Sequence, residues 1–234
     1  MEPTELLARI PRETTTMVAA ARSAGLDAPV LSCPGWDVTA LLRHIGKVHR
    51  WVARVIATGD MNTPRPEGTA PRGPDLFEWI ETGGNELFAA GTEKGSEAPA
   101  SNWAGVTPTT AFWFRRMANE TAVHSWDARS AAGDPEPVEA ALAADAIDEW
   151  LMVMGGLRPP EGLSGTLHIH CTDVAGDWTL DLATFTAERR SVDADAQLRG
   201  TASGILLRLL NRSDEGEVLG DGSLLAHWGD KVHF

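Results

Sequence analysis

Along the first two thirds of the chain, apolar residues recur every three to four positions; after that they recur every two. The helical period is clearest over 38–56. Taking Leu41 as origin and stepping about 100° per residue, Ile45, Val48, Val52, Val55 and Ile56 fall within about 60° of it. Arg43, Lys47, Arg50 and Arg54 occupy the opposite face, and Asp37 stands where a helix N-cap belongs. A helix over 5–24 carries Leu6, Leu7, Ile10, Met17 and Val18, with Pro11 predicted to kink or interrupt it. Further helices are predicted over 76–90, 109–129 and 138–154, separated by Pro- and Gly-bearing loops at 58–75 and 91–108 and by Gly133-Asp134-Pro135-Glu136-Pro137. Four long helices suggest a bundle, with the fifth as an extra helix after it.

The texture changes at Gly155-Gly156-Leu157-Arg158-Pro159-Pro160-Glu161-Gly162, which reads as a linker. Short alternating runs at 166–172 and 178–185 form a hairpin about Ala175-Gly176-Asp177. A strand at 195–199, a helix over 201–211, a strand at 217–219 and a short helix over 223–228 complete the pattern. The expected fold class is α+β, with a helical bundle over 1–155 and a small α+β domain over 156–234. No internal repeat is evident.

Composition narrows the function classes. The 234 residues are 43% hydrophobic, include nine tryptophans and carry a formal net charge of −13. That charge, with no basic block, argues against a nucleic-acid partner, which requires concentrated Lys and Arg. No apolar run approaches the roughly 20 residues that cross a bilayer, and the N-terminal stretch lacks the apolar core of a secretory signal. The expectation is a cytoplasmic chain with no membrane partner, in which Cys33 and Cys171 stay reduced.

The chemistry concentrates on two helices. Glu120 and His124 are four residues apart, about 40° around one helical face, with Trp113 and Met117 beside them. A carboxylate and an imidazole on an inward face need a partner, and a cation would balance them. His44 stands on the apolar side of its own helix, beside Val48 and Val55. Two imidazoles and one carboxylate suit Zn²⁺ or another borderline divalent ion and leave a coordination position open. On residue pattern alone, a surface Glu–His pair and a satisfied core histidine fit the same spacing. His49, about 140° from His44, reads as a boundary residue. Asp127 either orients His124 or is an ordinary helix-end carboxylate. Cys33 reads as a buried structural thiol, and His168 and His170, alternating on one strand, as a cross-strand or solvent-facing pair.

Ser32-Cys33-Pro34-Gly35-Trp36-Asp37-Val38, continuing through Leu41, Leu42 and His44-Ile45-Gly46, resembles the first signature of the mycothiol-dependent maleylpyruvate isomerase family. Arg116-Met117-Ala118-Asn119-Glu120-Thr121-Ala122-Val123-His124-Ser125-Trp126-Asp127-Ala128 resembles the second. The runs Leu167 to Asp173, Leu198 to Ser203 and Gly220 to Leu225 are similar to its second domain. The resemblance implies a DinB-like four-helix bundle followed by a sterol-carrier-like domain, with the active cleft between them. It implies a zinc ion on His44, Glu120 and His124, and mycothiol, the actinobacterial low-molecular-weight thiol, as cosubstrate. The implied reaction is thiolate addition to the double bond of maleylpyruvate, rotation and elimination to fumarylpyruvate; some members are implied to be thiol transferases acting on other small electrophiles. It further implies a C-terminal arginine against an acidic substrate or the thiol, for which Arg212 is the better match of Arg208 and Arg212. Arginine's planar fork can bond both oxygens of a carboxylate, although a helix-end cation facing solvent would look the same. A monomer or a homodimer is compatible with all of this.

Overall fold

The computed structural model describes residues 1–65, 70–155 and 158–232. Positions 66–69 of the expected 58–75 loop, and Gly156 and Leu157 of the expected linker, lie outside the described residues. The chain forms two compact units, Met1–Glu136 and Pro137–Phe234. No helix among the described residues is long and apolar enough to cross a membrane.

The first unit holds four helices: α1 (Pro3–Ala24), α2 (Val38–Thr58), α3 (Asp75–Lys94) and α4 (Thr110–Ala131). Helices α1 and α2 each pack on both α3 and α4, so the four form a closed ring. Their apolar faces meet in a core that includes Met17, Leu41, Leu42, Ile45, Leu76 and Ile80, all buried. Helix α1 runs through Pro11 without interruption. Helix α2 starts where the side chain of Asp37 accepts from the Ala40 amide at 2.7 Å, and it ends at Gly59, whose φ of 77° closes the left-handed cap.

One helix face is less polar than its pattern suggests. Arg50, expected with the solvent-facing cations, is half-buried against α3: its guanidinium lies 4.1 Å over the Trp79 ring and donates to the Trp79 carbonyl at 2.6 Å. Gly46 makes the room, because a Cβ there would overlap the Trp79 ring. The stem and planar head of arginine cover apolar surface while keeping their hydrogen bonds.

The bundle also contains a structural repeat, marked in the sequence only by the short runs Gly25-Leu26-Asp27-Ala28-Pro29 and Gly95-Ser96-Glu97-Ala98-Pro99. In the α1–α2 connection the Val38 amide donates to the Ala28 carbonyl, Val30 to Trp36 and Thr39 to Leu26. In the α3–α4 connection Thr110 donates to Ala98, Ala100 to Pro108 and Ala111 to Ser96. Each connection opens on a positive-φ glycine, Gly25 or Gly95, and closes through an isolated bridge, Pro29 with Asp37 or Pro99 with Thr109. The two helical hairpins are thus built alike.

The second unit comprises α5 (Ala140–Met154), β1 (Thr166–Cys171), β2 (Asp177–Asp181), β3 (Thr186–Glu188), β4 (Ala196–Gly200), α6 (Ala202–Leu209), β5 (Glu217–Gly220) and α7 (Ser223–Lys231). The sheet order is β3-β2-β1-β4-β5, antiparallel except for the parallel pair of β1 and β4. The division between units falls before α5, whereas the expected boundary lay after it, at 155. The physical reason is packing: α5 lies on α6 and β3, and its Asp148 carboxylate accepts from the Trp178 indole at 2.8 Å. Helix α6 ends sooner than the 201–211 expectation. Asn211 takes φ 57°, its amide donates to Arg208, and the Arg212 amide donates to Leu207 at 2.7 Å, which closes a Schellman motif.

Candidate metal centre

The predicted trio converges. His44 on α2 and Glu120 and His124 on α4 place one donor atom each within 4.8 Å of one another. His44 Nε2 and Glu120 Oε1 are 3.3 Å apart, about the edge between two ligands of a tetrahedral ion with bonds of about 2.0–2.1 Å. The His44 and His124 rings stand edge to face at 5.4 Å. Trp36, from the loop before α2, lies parallel to the His124 ring at 6.3 Å and tilted to His44 at 5.0 Å. The side chain of His44 is 37% exposed while those of Glu120 and His124 are 14% and 12% exposed. A ligand from solvent therefore reaches the group from the His44 side.

Electrostatics prepare these groups for a cation. Burial alone would raise the Glu120 pKa, but Arg116 at 3.0 Å, the hydrogen bond with His44 and the neighbouring imidazole charges outweigh it and hold the carboxyl down at about 2. Glu120 is thus an anion at any ordinary pH. Its Oε2 faces Arg116 and its Oε1 faces His44, so one oxygen is neutralised and the other is left to the trio.

His124 is held from behind. Its Nδ1 bonds Asp127 Oδ2 at 2.8 Å, and Asp127 is fully buried. Ser32 Oγ donates to Asp127 Oδ1 at 2.6 Å and Cys33 Sγ donates to Oδ2 at 3.6 Å. With the Nδ1 proton given to Asp127, Nε2 carries the lone pair, the tautomer a metal ligand needs. The orienting role of Asp127, one of two readings open in sequence, is the one the geometry supports. The Ser32-Cys33 run is the other side of that bond, and no helical periodicity could reveal it. Arg116 was signalled by its i, i+4 spacing to Glu120 but not singled out.

His49 departs from expectation. It is fully buried rather than at a boundary, its Nε2 is 2.9 Å from Thr121 Oγ1, and its Nδ1 has no hydrogen-bond partner among the described residues. The Thr121 hydroxyl donates to the Met117 carbonyl at 2.6 Å and so accepts from His49. Burial pushes the His49 pKa down to about 4, against an opposing pull from Glu120. It is a neutral core histidine. Arg212 lies in the second unit, just past α6, where Nη1 donates to the Leu210 carbonyl at 3.1 Å. His168 and His170 on β1 both bond Asp177 Oδ1, at 3.0 and 2.9 Å, and Gln197 donates to His168 Nδ1 at 3.1 Å. They form a cross-strand polar pair.

The family model described as the mycothiol maleylpyruvate isomerase N-terminal domain matches residues 7–129, more than half of the chain. The chain belongs to this family. Two solved structures share the fold. A crystal structure of a histidine-to-alanine mutant of the mycothiol-dependent maleylpyruvate isomerase is 14% identical with a TM-score of 0.63, and a structure described simply as that isomerase is 16% identical with a TM-score of 0.59. In each case 93% of both chains is covered. No curated protein matches the sequence. The family match takes in every residue of the His44, Glu120 and His124 group together with Ser32, Arg116 and Asp127; Arg212 lies beyond it.

Proposed function

We propose that this member of the mycothiol maleylpyruvate isomerase family is a cytoplasmic, metal- and mycothiol-dependent enzyme that adds or transfers the thiol to a small electrophile. The observation that carries the reading is the meeting of His44, Glu120 and His124 donor atoms, with His124 oriented by a buried Asp127. These residues would hold one divalent ion of the zinc type, and a bound ion there lowers the pKa of a coordinating thiol, so that thiolate is available at neutral pH. The protein's own part is positional. Asp127 fixes the His124 tautomer, Arg116 and His44 orient the Glu120 carboxylate, Trp36 walls the histidine rings, and the exposed edge of His44 admits the thiol. Maleylpyruvate is the substrate in the names of the structural relatives, and it is the first electrophile to test here. Arg212 is the candidate for a substrate carboxylate, a role argued from its sequence context and from the bidentate geometry of guanidinium.

The test is a turnover assay on metal-loaded protein with and without mycothiol, using maleylpyruvate and a panel of other electrophiles. The expected result is turnover that requires both metal and thiol and is lost in His44→Ala. Arg212→Ala should retain its metal and lose catalytic efficiency with carboxylate-bearing substrates. Turnover without thiol would replace this reading with hydrolysis, and the absence of turnover on every electrophile would leave a metal-containing binding protein.

A further inference from the structure

His124 belongs to two donor sets. Besides the trio already described, Cys33, His124 and Asp127 place ligand atoms within 4.8 Å of one another. Asp127 is fully buried and Cys33 half-buried. The carboxylate oxygen that bonds His124 Nδ1 at 2.8 Å is also the one that accepts from Cys33 Sγ at 3.6 Å. Sulfur, imidazole nitrogen and carboxylate oxygen together make a softer set than the two nitrogens and one oxygen of the trio, and thiolate selects thiophilic ions.

We propose that Cys33, His124 and Asp127 form a second metal site, selective for thiophilic divalent cations such as Cd²⁺ and competitive with the His44 site. The competition follows from the tautomer of one ring. In the trio, His124 gives its Nδ1 proton to Asp127 and offers the Nε2 lone pair. In the second set, Nδ1 itself must offer a lone pair, so the ring proton sits on Nε2 and the trio loses a ligand. Binding therefore releases the Cys33 thiol proton to solvent and relocates the His124 proton from Nδ1 to Nε2, with no oxidation or reduction. A neutral imidazole serves one set at a time. The inference does not depend on the thiol chemistry proposed above; it shares with that reading the ligand His124 and the carboxylate of Asp127 that orients it.

The test is cadmium titration of the metal-free full-length protein, following near-ultraviolet thiolate-to-metal charge-transfer absorption. One Cd²⁺ per chain should develop the band. Cys33→Ser and Cys33→Ala should abolish it, while Cys171→Ser and His44→Ala should keep it, because neither Cys171 nor His44 belongs to the set. Saturating Zn²⁺ should weaken the apparent Cd²⁺ affinity at least tenfold. Bound cadmium without the band, a band that survives both Cys33 substitutions, or a band lost with His44 would each overturn the second site. A full band with zinc simultaneously retained would overturn the competition. If the wild-type chain binds no zinc yet gives the Cys33-dependent band, the trio reading and the competition fail together while the Cys33 site itself stands.

Discussion

At the scale of single residues, the His44, Glu120 and His124 trio depends on a carboxylate that stands behind it rather than in it. Asp127 is fully buried, takes hydrogen bonds from Ser32 and Cys33, and fixes the proton of His124. Replacing Asp127 with Asn removes the charge and weakens that hold, and second-shell changes of this kind typically lower metal affinity by about 10- to 100-fold. Asp127→Asn should therefore show that loss against a chromogenic chelator while its circular dichroism stays as in the wild type; unchanged affinity would show that Asp127 does not orient the ligand. His49 yields a pH prediction. Its folded pKa is about 4 against an ordinary 6.5, because burial disfavours the charged ring. Between those values the unfolded chain binds more protons, so folding stability falls as pH drops from 6.5 toward 4, by on the order of 3 kcal/mol if the whole shift applies. In denaturant titrations of metal-free protein, His49→Gln should lose less stability over that window than the wild type, and parallel curves would rule the effect out. Of these residues, periodicity exposed His44, Glu120 and His124, because each sits on a helix whose inward face can be counted from its apolar neighbours. It could not expose Ser32 against Asp127, since that contact joins a loop to a distant helix. It also misplaced His49, whose partner Thr121 belongs to another element.

At the scale of elements, the seam between α2 and α3 rests on a missing Cβ. Gly46 lets the Trp79 ring lie against α2, and Arg50 then stacks on that ring, donates to the Trp79 carbonyl and pairs with Glu86 at 3.4 Å. In Gly46→Ala the new methyl overlaps the indole, and overpacking of this kind costs about 1–3 kcal/mol, partly offset by the better helix propensity of alanine. Urea denaturation should show a net loss of up to about 2 kcal/mol; a gain in stability would mean that Trp79 moves aside freely. The same seam shows why the helices were legible and their faces only partly so. A run of apolar residues at period 3.6 identifies a helix, but a cation beside the run can be solvated or laid over an aromatic ring, and only the neighbouring element decides. The likeness of the two hairpins leaves only a five-residue trace in the sequence, Gly-x-acid-Ala-Pro at 25–29 and 95–99, for a related reason. What repeats is backbone hydrogen bonding about Ala28-Pro29 and Ala98-Pro99, while the side chains that follow, Ser32-Cys33-Pro34-Gly35 in one and Ser101-Asn102-Trp103-Ala104 in the other, differ. In the second unit β3 has three residues, too short to carry an alternation of its own, and the parallel pairing of β1 with β4 is not encoded in any local run.

At the scale of the whole molecule, both donor sets found among the described residues belong to one unit. His44, Glu120, His124, Arg116, Asp127, Ser32 and Trp36 all precede Glu136, and α1 to α4 pack among themselves around one core. The chain leaves this unit through Gly133 to Pro137, whose side chains are exposed, and Pro135 and Pro137 bar a helix from bridging it. A unit of this size with its own apolar core is large enough to fold alone. A fragment ending at Glu136 should accordingly be helical, unfold cooperatively and take up one divalent ion with an affinity within a few-fold of the full chain's. The corresponding fragment carrying His124→Ala should fold and fail to hold the ion. Elemental analysis after gel filtration, paired with thermal unfolding, reads both. A helical fragment 1–136 that binds no metal, when the full chain does, would mean that residues beyond Pro137 complete the site, and the ligand set would have to be sought again in the second unit. A fragment that folds and holds the ion but lacks thiol-dependent turnover would instead assign metal binding to the first unit and substrate handling, with Arg212 its first candidate, to the second.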